Sequence, residues 1–345
     1  MKNVERKHAE ISDRYVDILD HPATQQLLLL ANSSKATALE MEKLERLLDA
    51  QPDEFSKRLL KIFLECIKSK LLGNAPKGNL YDSNLTMLDA FNVFYKQTPL
   101  VKFGHDFVNN MILSCTGGIK DLTVIDIGFG SGIQWIEFLK KSDKNIILNA
   151  IDVPSEHSVI MLERFKKSIF ELNLVNRVEL IPIFKHVEDI EFTSIGKNGF
   201  SVVNAALSLH HVLPEKIKSP GRAHVLKGIK EFEPDLFTLI EPDSDHNNSS
   251  FELVLKEALS HYSSVFGAIN YYIKDRQYVD FIENNFFGKE IENIICNDGA
   301  ERFERHERFA QWCKSLEVQG FKKMESSALA FQGKDLLVAS AWRVF

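Results

Sequence analysis

With 345 residues, 44% apolar and 26% charged, the chain can bury a sizeable core and has the composition of an ordinary globular protein. A formal net charge of −6 and a pI near 6.0 argue against a general nucleic-acid or membrane-surface binder, which is usually basic, and leave room only for a local basic patch.

The opening residues Met1 to Glu10 contain no apolar h-region, so no secretory signal is expected. The apolar run from Leu27 to Ala31 is too short to span a bilayer. Cys66, Cys115, Cys296 and Cys313 have no spacing suited to zinc or redox chemistry and read as reduced core thiols. A cytoplasmic protein without a membrane partner is the expectation.

The first third reads as helical. QQLLLLANSS, ALEMEKLERLLDA and FSKRLLKIFLECIKSKLLG place apolar residues at helical spacing, and no glycine precedes Gly73. The stretch from Gly73 to Ser83, rich in Gly, Pro, Asn and Ser, marks a boundary, so residues 1–85 are expected to form a helical cap. From Leu122 the texture changes: LTVIDIG is a continuous apolar run ending in a glycine turn, as a buried parallel strand would be. The helical IQWIEFLKK, the strand NIILNAID, the helix VIMLERFKKSIFELN and the strand RVELIPI follow. FSVVNAALSLHH and PDLFTLIEPD supply two more strands, and GFKKMESS with DLLVASAWR suggests a terminal hairpin.

This alternation predicts βαβ units in a doubly wound α/β sheet over residues 86–345, with the ligand at the carboxyl ends of the strands. Helical insertions are expected near 212–234 and 244–290.

Gly128-Phe129-Gly130-Ser131-Gly132 follows a strand and opens a helix, a setting that lets backbone approach a nucleotide-like cofactor closely. The pattern is G-x-G-x-G; Ile133 stands where a dinucleotide fingerprint wants glycine, and there is no phosphate-loop Gly-Lys-Ser/Thr. Asp152 ends the next strand about 20 residues on, where an acid can accept both ribose hydroxyls. Asp126, inside the first strand, can orient the turn and face the cofactor's amino group. S-adenosylmethionine (SAM) is the expected cofactor; the alternative is a tight turn in an inert Rossmann-like fold.

With those residues in view, the chain resembles the GRAS family, best known as plant regulators of transcription, whose fold is similar to that of SAM-dependent methyltransferases. The leucine-rich start is similar to the family's first leucine heptad region. FYKQTPLVKFGHDFVNN and LTVID resemble the approach to its VHIID motif and the motif itself, with Thr123 in place of the usual histidine. KSIFELNLVNRVELIPI is similar to the following leucine-rich region. HYSSVFGAIN, GKEIENIICNDGAERFERHE and SAWR resemble the PFYRE and SAW motifs, with Lys289 where arginine is frequent. The resemblance implies a Rossmann-like class I methyltransferase fold: a seven-stranded, mostly parallel sheet with an antiparallel terminal hairpin, plus an α-helical cap. The glycine turn, often eroded in plant members, is intact, and the abundance of Lys, Ile, Asn and Phe suggests a bacterial source. An intact turn in a compact member points to an enzyme, a SAM-dependent methyltransferase acting on a small hydroxylated or carboxylated molecule. The alternative is a non-catalytic GRAS-like module that binds a ligand or protein. A protein partner, or a homodimer through the leucine-rich helices, is a further expectation.

Methyl transfer is an in-line displacement in which a base can take the acceptor's proton. His210 and His211 after the fourth strand and His246 after the fifth have the right titration range, with His246 the first choice because the resemblance also marks its segment. Each reads equally as a loop histidine bonded to backbone. Glu241, Asp243, Asp245 and Asn247 share that rim and could orient a base or bind substrate hydroxyls. EPDSDHNN also offers metal ligands, but a helix N-cap is preferred and no metal is expected. Phe94 and Tyr95 could cover adenine or the sulfonium, as the resemblance supports, or pack in the core. Glu188 and Asp189 suit a contact to adenine or a surface loop. Arg305, His306 and Glu307 read as a helical interaction face or ion-pair cluster, and Trp312 and Trp342 as packing residues.

Overall fold

The computed structural model describes residues 18–33, 38–50, 53–74, 85–324, 329–330 and 336–344. Its chain order opens with helices α1 (Pro22–Ala31), α2 (Ala38–Asp49), α3 (Glu54–Leu71), α4 (Leu85–Gln97) and α5 (Leu100–Thr116). Strand β1 (Asp121–Ile127), α6 (Ile133–Lys141), β2 (Asn145–Asp152), α7 (Glu156–Glu171), β3 (Val178–Phe184) and β4 (Phe200–Ala206) follow. Next come α8 (Arg222–Phe232), β5 (Leu236–Pro242), α9 (Phe251–Tyr272), α10 (Arg276–Ile282), a π turn (Glu283–Phe287) and α11 (Gly288–Cys296). The chain closes with α12 (Phe309–Val318), β6 (Phe321–Lys323), β7 (Leu329–Ala330) and β8 (Leu337–Val344). Residues 1–10, with the expected absence of a signal, and 75–83 of the expected boundary lie outside the described residues.

The chain divides into two compact units. The first comprises Met1–Pro99, Asp243–Glu307 and Phe331–Leu336; the second comprises Leu100–Pro242, Arg308–Ala330 and Leu337–Phe345.

The second unit is α/β. Its strands run in the order β3-β2-β1-β4-β5-β8-β6, with β7 paired to β8. β1 to β5 are parallel, whereas β8 runs antiparallel to β5 and β6 and so forms the terminal hairpin. The apolar continuity of LTVIDI and LFTLIEP reflects burial on both faces, since β1 and β5 sit inside the sheet. Alternate residues feed two cores. Val124 and Leu148 pack with Val108, Trp135, Phe138 and Phe165 from α5, α6 and α7. Ile125 and Val203 pack with Leu226 and Ile229 of α8 and with Trp312 of α12. Trp312 and Trp342 are both fully buried, in keeping with a packing role.

The first unit is helical. Asp53 caps α3 by accepting the N–H groups of Phe55 and Ser56 at 3.3 and 3.0 Å. Leu59, Phe63 and Ile67, four residues apart, then line its buried face. Leu44 and Leu48 of α2, and Leu27 of α1, are likewise core. The leucine-rich periodicity is thus mostly interior packing, with Leu29 and Leu39 left 73% exposed. Across the unit, Arg58 of α3 donates to Glu283 at 2.9 Å and to the Asn270 side chain at 2.8 Å. Among the described residues no helix is long and apolar enough to cross a membrane.

Thr123, the departure from the histidine of VHIID, is fully buried in β1. Its hydroxyl donates to Asn198 O at 2.9 Å and accepts from Asn198 N–H at 2.7 Å, tying β1 to the turn that leads into β4. Thr123→Val keeps the shape but strands both backbone groups. We expect it to lower stability by about 1–2 kcal/mol in urea denaturation, and an unchanged midpoint would show that this clamp contributes nothing.

Candidate functional site

The loop after β1 carries the three glycines in the left-handed region, with φ of 76°, 53° and 63° at Gly128, Gly130 and Gly132. Only glycine adopts that conformation without strain at three alternate positions. A Cβ at Gly128 would stand 2.5 Å from the Ser208 Cβ, and one at Gly132 2.5–2.6 Å from the Phe129 and Phe165 rings. At Gly130 the nearest atom is 3.9 Å away, so that side of the turn is open. The N–H groups of Gly128 and Phe129 both donate to Ile151 O at 3.0 Å, which fastens the loop to the end of β2. Asp152 completes the attachment: Oδ2 accepts from Gly130 N–H and Oδ1 from Val153 N–H, each at 2.8 Å. Burial raises the Asp152 carboxyl from its ordinary value, against the lowering effect of the Gly130 and Val153 N–H groups.

Asp126 points into the sheet. It pairs in register with Ala150 on one side and Asn204 on the other, and its Oδ1 accepts from the Asn204 Nδ2 at 2.7 Å. Asn204 Oδ1 in turn accepts from Thr238 at 2.8 Å and from Gln134 at 3.3 Å, and Gln134 reaches Asn109. These groups are all buried, and burial pushes the Asp126 carboxyl up to about 6. The supporting residues Asn204, Thr238, Gln134 and Asn109 are absent from the sequence-level set. An asparagine and a threonine inside apolar strands were the available signal.

At the ends of β4 and β5, Glu241 accepts the Ser208 and Leu209 N–H groups at 3.3 and 2.8 Å, and its Oε2 lies 2.5 Å from His210 Nδ1. Burial alone would raise the Glu241 carboxyl. The His210 charge and hydrogen bond, with His211 and the Leu209 N–H, bring it below its ordinary value. His210 is 3% exposed, while the adjacent His211 ring is half-buried with its centroid 3.9 Å away. Glu188 lies in the short turn after β3, where Lys218 donates to it at 3.1 Å.

The other expected residues belong to the first unit. Phe94 and Tyr95 are buried in α4, and Phe94 meets Phe287 edge-on at 5.0 Å. Asp243, Asp245, His246 and Asn247 lie in an extended run before α9. Its N-cap is Ser250, not the Asp-Ser-Asp-His segment expected to cap it. That segment is held differently: His246 N–H donates to His306 O at 3.1 Å, and Asp245 Oδ1 accepts from Asn247 N–H at 3.1 Å. Asn247 Nδ2 donates to Glu307 at 2.7 Å, and Arg305 donates to Asn247 Oδ1 at 3.0 Å. His246 is fully buried, and burial first, then the neighbouring His306, His261 and Arg302 charges, hold it well below the usual imidazole range. Residues 302–307 are not helical, which corrects the helical-face reading of Arg305, His306 and Glu307, and His306 Nε2 stands 3.4 Å from Glu304 Oε2.

The model of the GRAS domain family matches residues 20–343. The chain is 26% identical over 332 residues to the DELLA protein RGL3 of Arabidopsis thaliana, covering 92% of this chain and 61% of that protein. It is 28% identical over 275 residues to the GRAS family protein RAD1 of Medicago truncatula, covering 73% of this chain and 52% of that one. The chain therefore spans about half to three-fifths of these relatives. The solved structure of SCL7 from Oryza sativa shares the fold with a TM-score of 0.74 at 21% identity, covering 94% of this chain and all of that one. These similarities overturn the reading of the chain as a SAM-dependent methyltransferase, and with it the enzyme assignment and the small-molecule methyl acceptor. Of the expected bases, His246 is sealed from solvent, His210 is buried against Glu241 and His211 is half-buried.

Two measurements probe the site's electrostatics. The folded Asp126 carboxyl, at about 6, lies above its ordinary 3.8, so ionisation opposes folding and stability falls as pH rises through that window. Asp126→Asn should therefore gain about 2–3 kcal/mol over the wild type at pH 8 and about half of that at pH 5. Equal urea midpoints at both values would show that the carboxylate is not penalised. Separately, Glu241→Gln should cost at least about 2 kcal/mol by weakening the buried pair. Combined with His210→Ala it should cost less than the sum of the single changes, and strict additivity would mean the two side chains are uncoupled.

Proposed function

The chain belongs to the GRAS domain family, and from that premise we propose that it is a non-catalytic regulatory module that holds an adenosyl-bearing ligand at the Gly128–Gly132 turn. The observation that carries this reading is a ligand-type turn, pinned by Asp152, beside a rim where His210 is buried against Glu241. The open side of Gly130, where an added Cβ meets nothing closer than 3.9 Å, suits the close approach of a nucleoside. Each carboxylate oxygen of Asp152 accepts one backbone N–H and keeps a lone pair for a ribose hydroxyl. SAM and S-adenosylhomocysteine are the candidate ligands. Held without transfer, such a ligand would rest on the preformed loop between β1 and α6, and binding would be read out through protein contacts. Among the described residues, the exposed Leu29 and Leu39 of α1 and α2, with Leu71 at the end of α3, suit contact with a protein partner.

Calorimetric titration with S-adenosylhomocysteine tests the ligand, and incubation with methyl-labelled SAM and a cell extract tests the absence of chemistry. We expect micromolar binding that Gly130→Trp abolishes, with no label transferred above the level of that variant. A folded wild-type chain that binds neither compound would remove the ligand from the proposal, and transfer of label above the variant would overturn its non-catalytic character.

A further inference from the structure

We propose that Glu290, Glu304 and His306 bind one divalent transition-metal ion of the zinc type within the helical unit. One oxygen from each carboxylate and one ring nitrogen of His306 lie within 4.8 Å of one another, and all three residues are buried. Three ligands about 2.0–2.2 Å from a common ion stand about 3.3–3.8 Å apart, so closing the set takes a side-chain shift of up to about an ångström. Two carboxylates and an imidazole suit zinc and its first-row neighbours better than calcium or magnesium, which favour all-oxygen shells.

The ligands are presented by fixed elements. Glu290 lies in the first turn of α11, and Tyr262 of α9 donates its hydroxyl to Glu290 Oε2 at 3.0 Å, the kind of support that orients a metal-binding carboxylate. Asn293, one turn along α11, accepts the N–H groups of Phe303 and Glu304 at 2.8 and 3.0 Å and so sets the course of the ligand segment. His306 O accepts from His246 N–H, anchoring the far end.

An independent observation points to the same place. The fully buried His246 ring lies 4.6 Å from His306, centroid to centroid, and its Nδ1 has no hydrogen-bond partner among the described residues. A buried ring nitrogen without a partner is costly in a metal-free core and is accounted for as a further donor beside the ion.

The test uses the full chain, stripped with a chelator, re-equilibrated with zinc chloride and desalted. Plasma mass spectrometry should then find about one zinc per chain, and thermal unfolding should rise by about 5 °C over the stripped protein. His306→Gln and Glu304→Gln should each lose most of the bound zinc, while Cys66→Ser and Cys296→Ser should retain it. Should the first two variants fail to fold, the wild type loaded with cobalt(II) decides: visible bands of a low-coordinate nitrogen/oxygen site, with no thiolate charge-transfer band, support the proposal. Less than about one-tenth of an ion per wild-type chain, a thiolate band, or zinc retained by folded His306→Gln would each overturn it.

Discussion

The second unit depends on a single carboxylate placed at the end of a strand. Asp152 accepts the Gly130 N–H, and through it the loop after β1 is pinned to β2. Within the loop Gly132 N–H donates to Phe129 O at 3.0 Å, and three further amides find acceptors at the end of β2. Ile151 O supplies two and the Asp152 side chain a third. With those bonds made, α6 starts at Ile133 with its amino end facing the turn, and the Phe129 and Phe165 rings close the space a side chain at Gly132 would need. The loop is thereby a shaped backbone surface before any ligand arrives, a property that serves a holding site as well as a reactive one.

Buried polarity is the common thread in both units. In the sheet, Asp126, Asn204, Thr238, Gln134 and Asn109 form a chain of bonds across β1, β4 and β5, and nearby His210 and Glu241 form a close pair. In the helical unit, the segment 302–307 brings two arginines, a glutamate and a histidine into the interior and fastens them to Asn293, His246, Asn247 and Asp298. Such networks cost desolvation and repay it only when each member is satisfied, so they select one arrangement of the backbone. A histidine sealed in a core, as His246 is, has no path to an acceptor in solution.

Much of the architecture was legible in the residues. The runs LTVIDI, NIILNAID and LFTLIEP became β1, β2 and β5 because a parallel strand covered on both faces is mostly apolar. The leucines of α1 to α3 became core because their spacing matches the helical turn. The ordered family motifs, together with the glycine turn and its acid, were equally readable. Less so were Thr123, whose hydroxyl clamps Asn198, and Asn204, whose role depends on a neighbour 78 residues earlier. The EPDSDHNN segment was misjudged as a helix cap because its partners, His306 and Glu307, arrive from some 60 residues downstream.

By itself, then, the sequence determined what local chemistry can determine: helical and extended periods, the turn that only glycine can make, and membership of a family through ordered motifs. The tertiary structure alone decided which titratable groups remain available, because availability depends on partners brought together by the fold. His210 met Glu241, His246 was enclosed beside His306, and Glu290 was brought to Glu304. Spacing along a chain carries no information about such encounters, since desolvation and pairing act through space across elements that are distant in sequence.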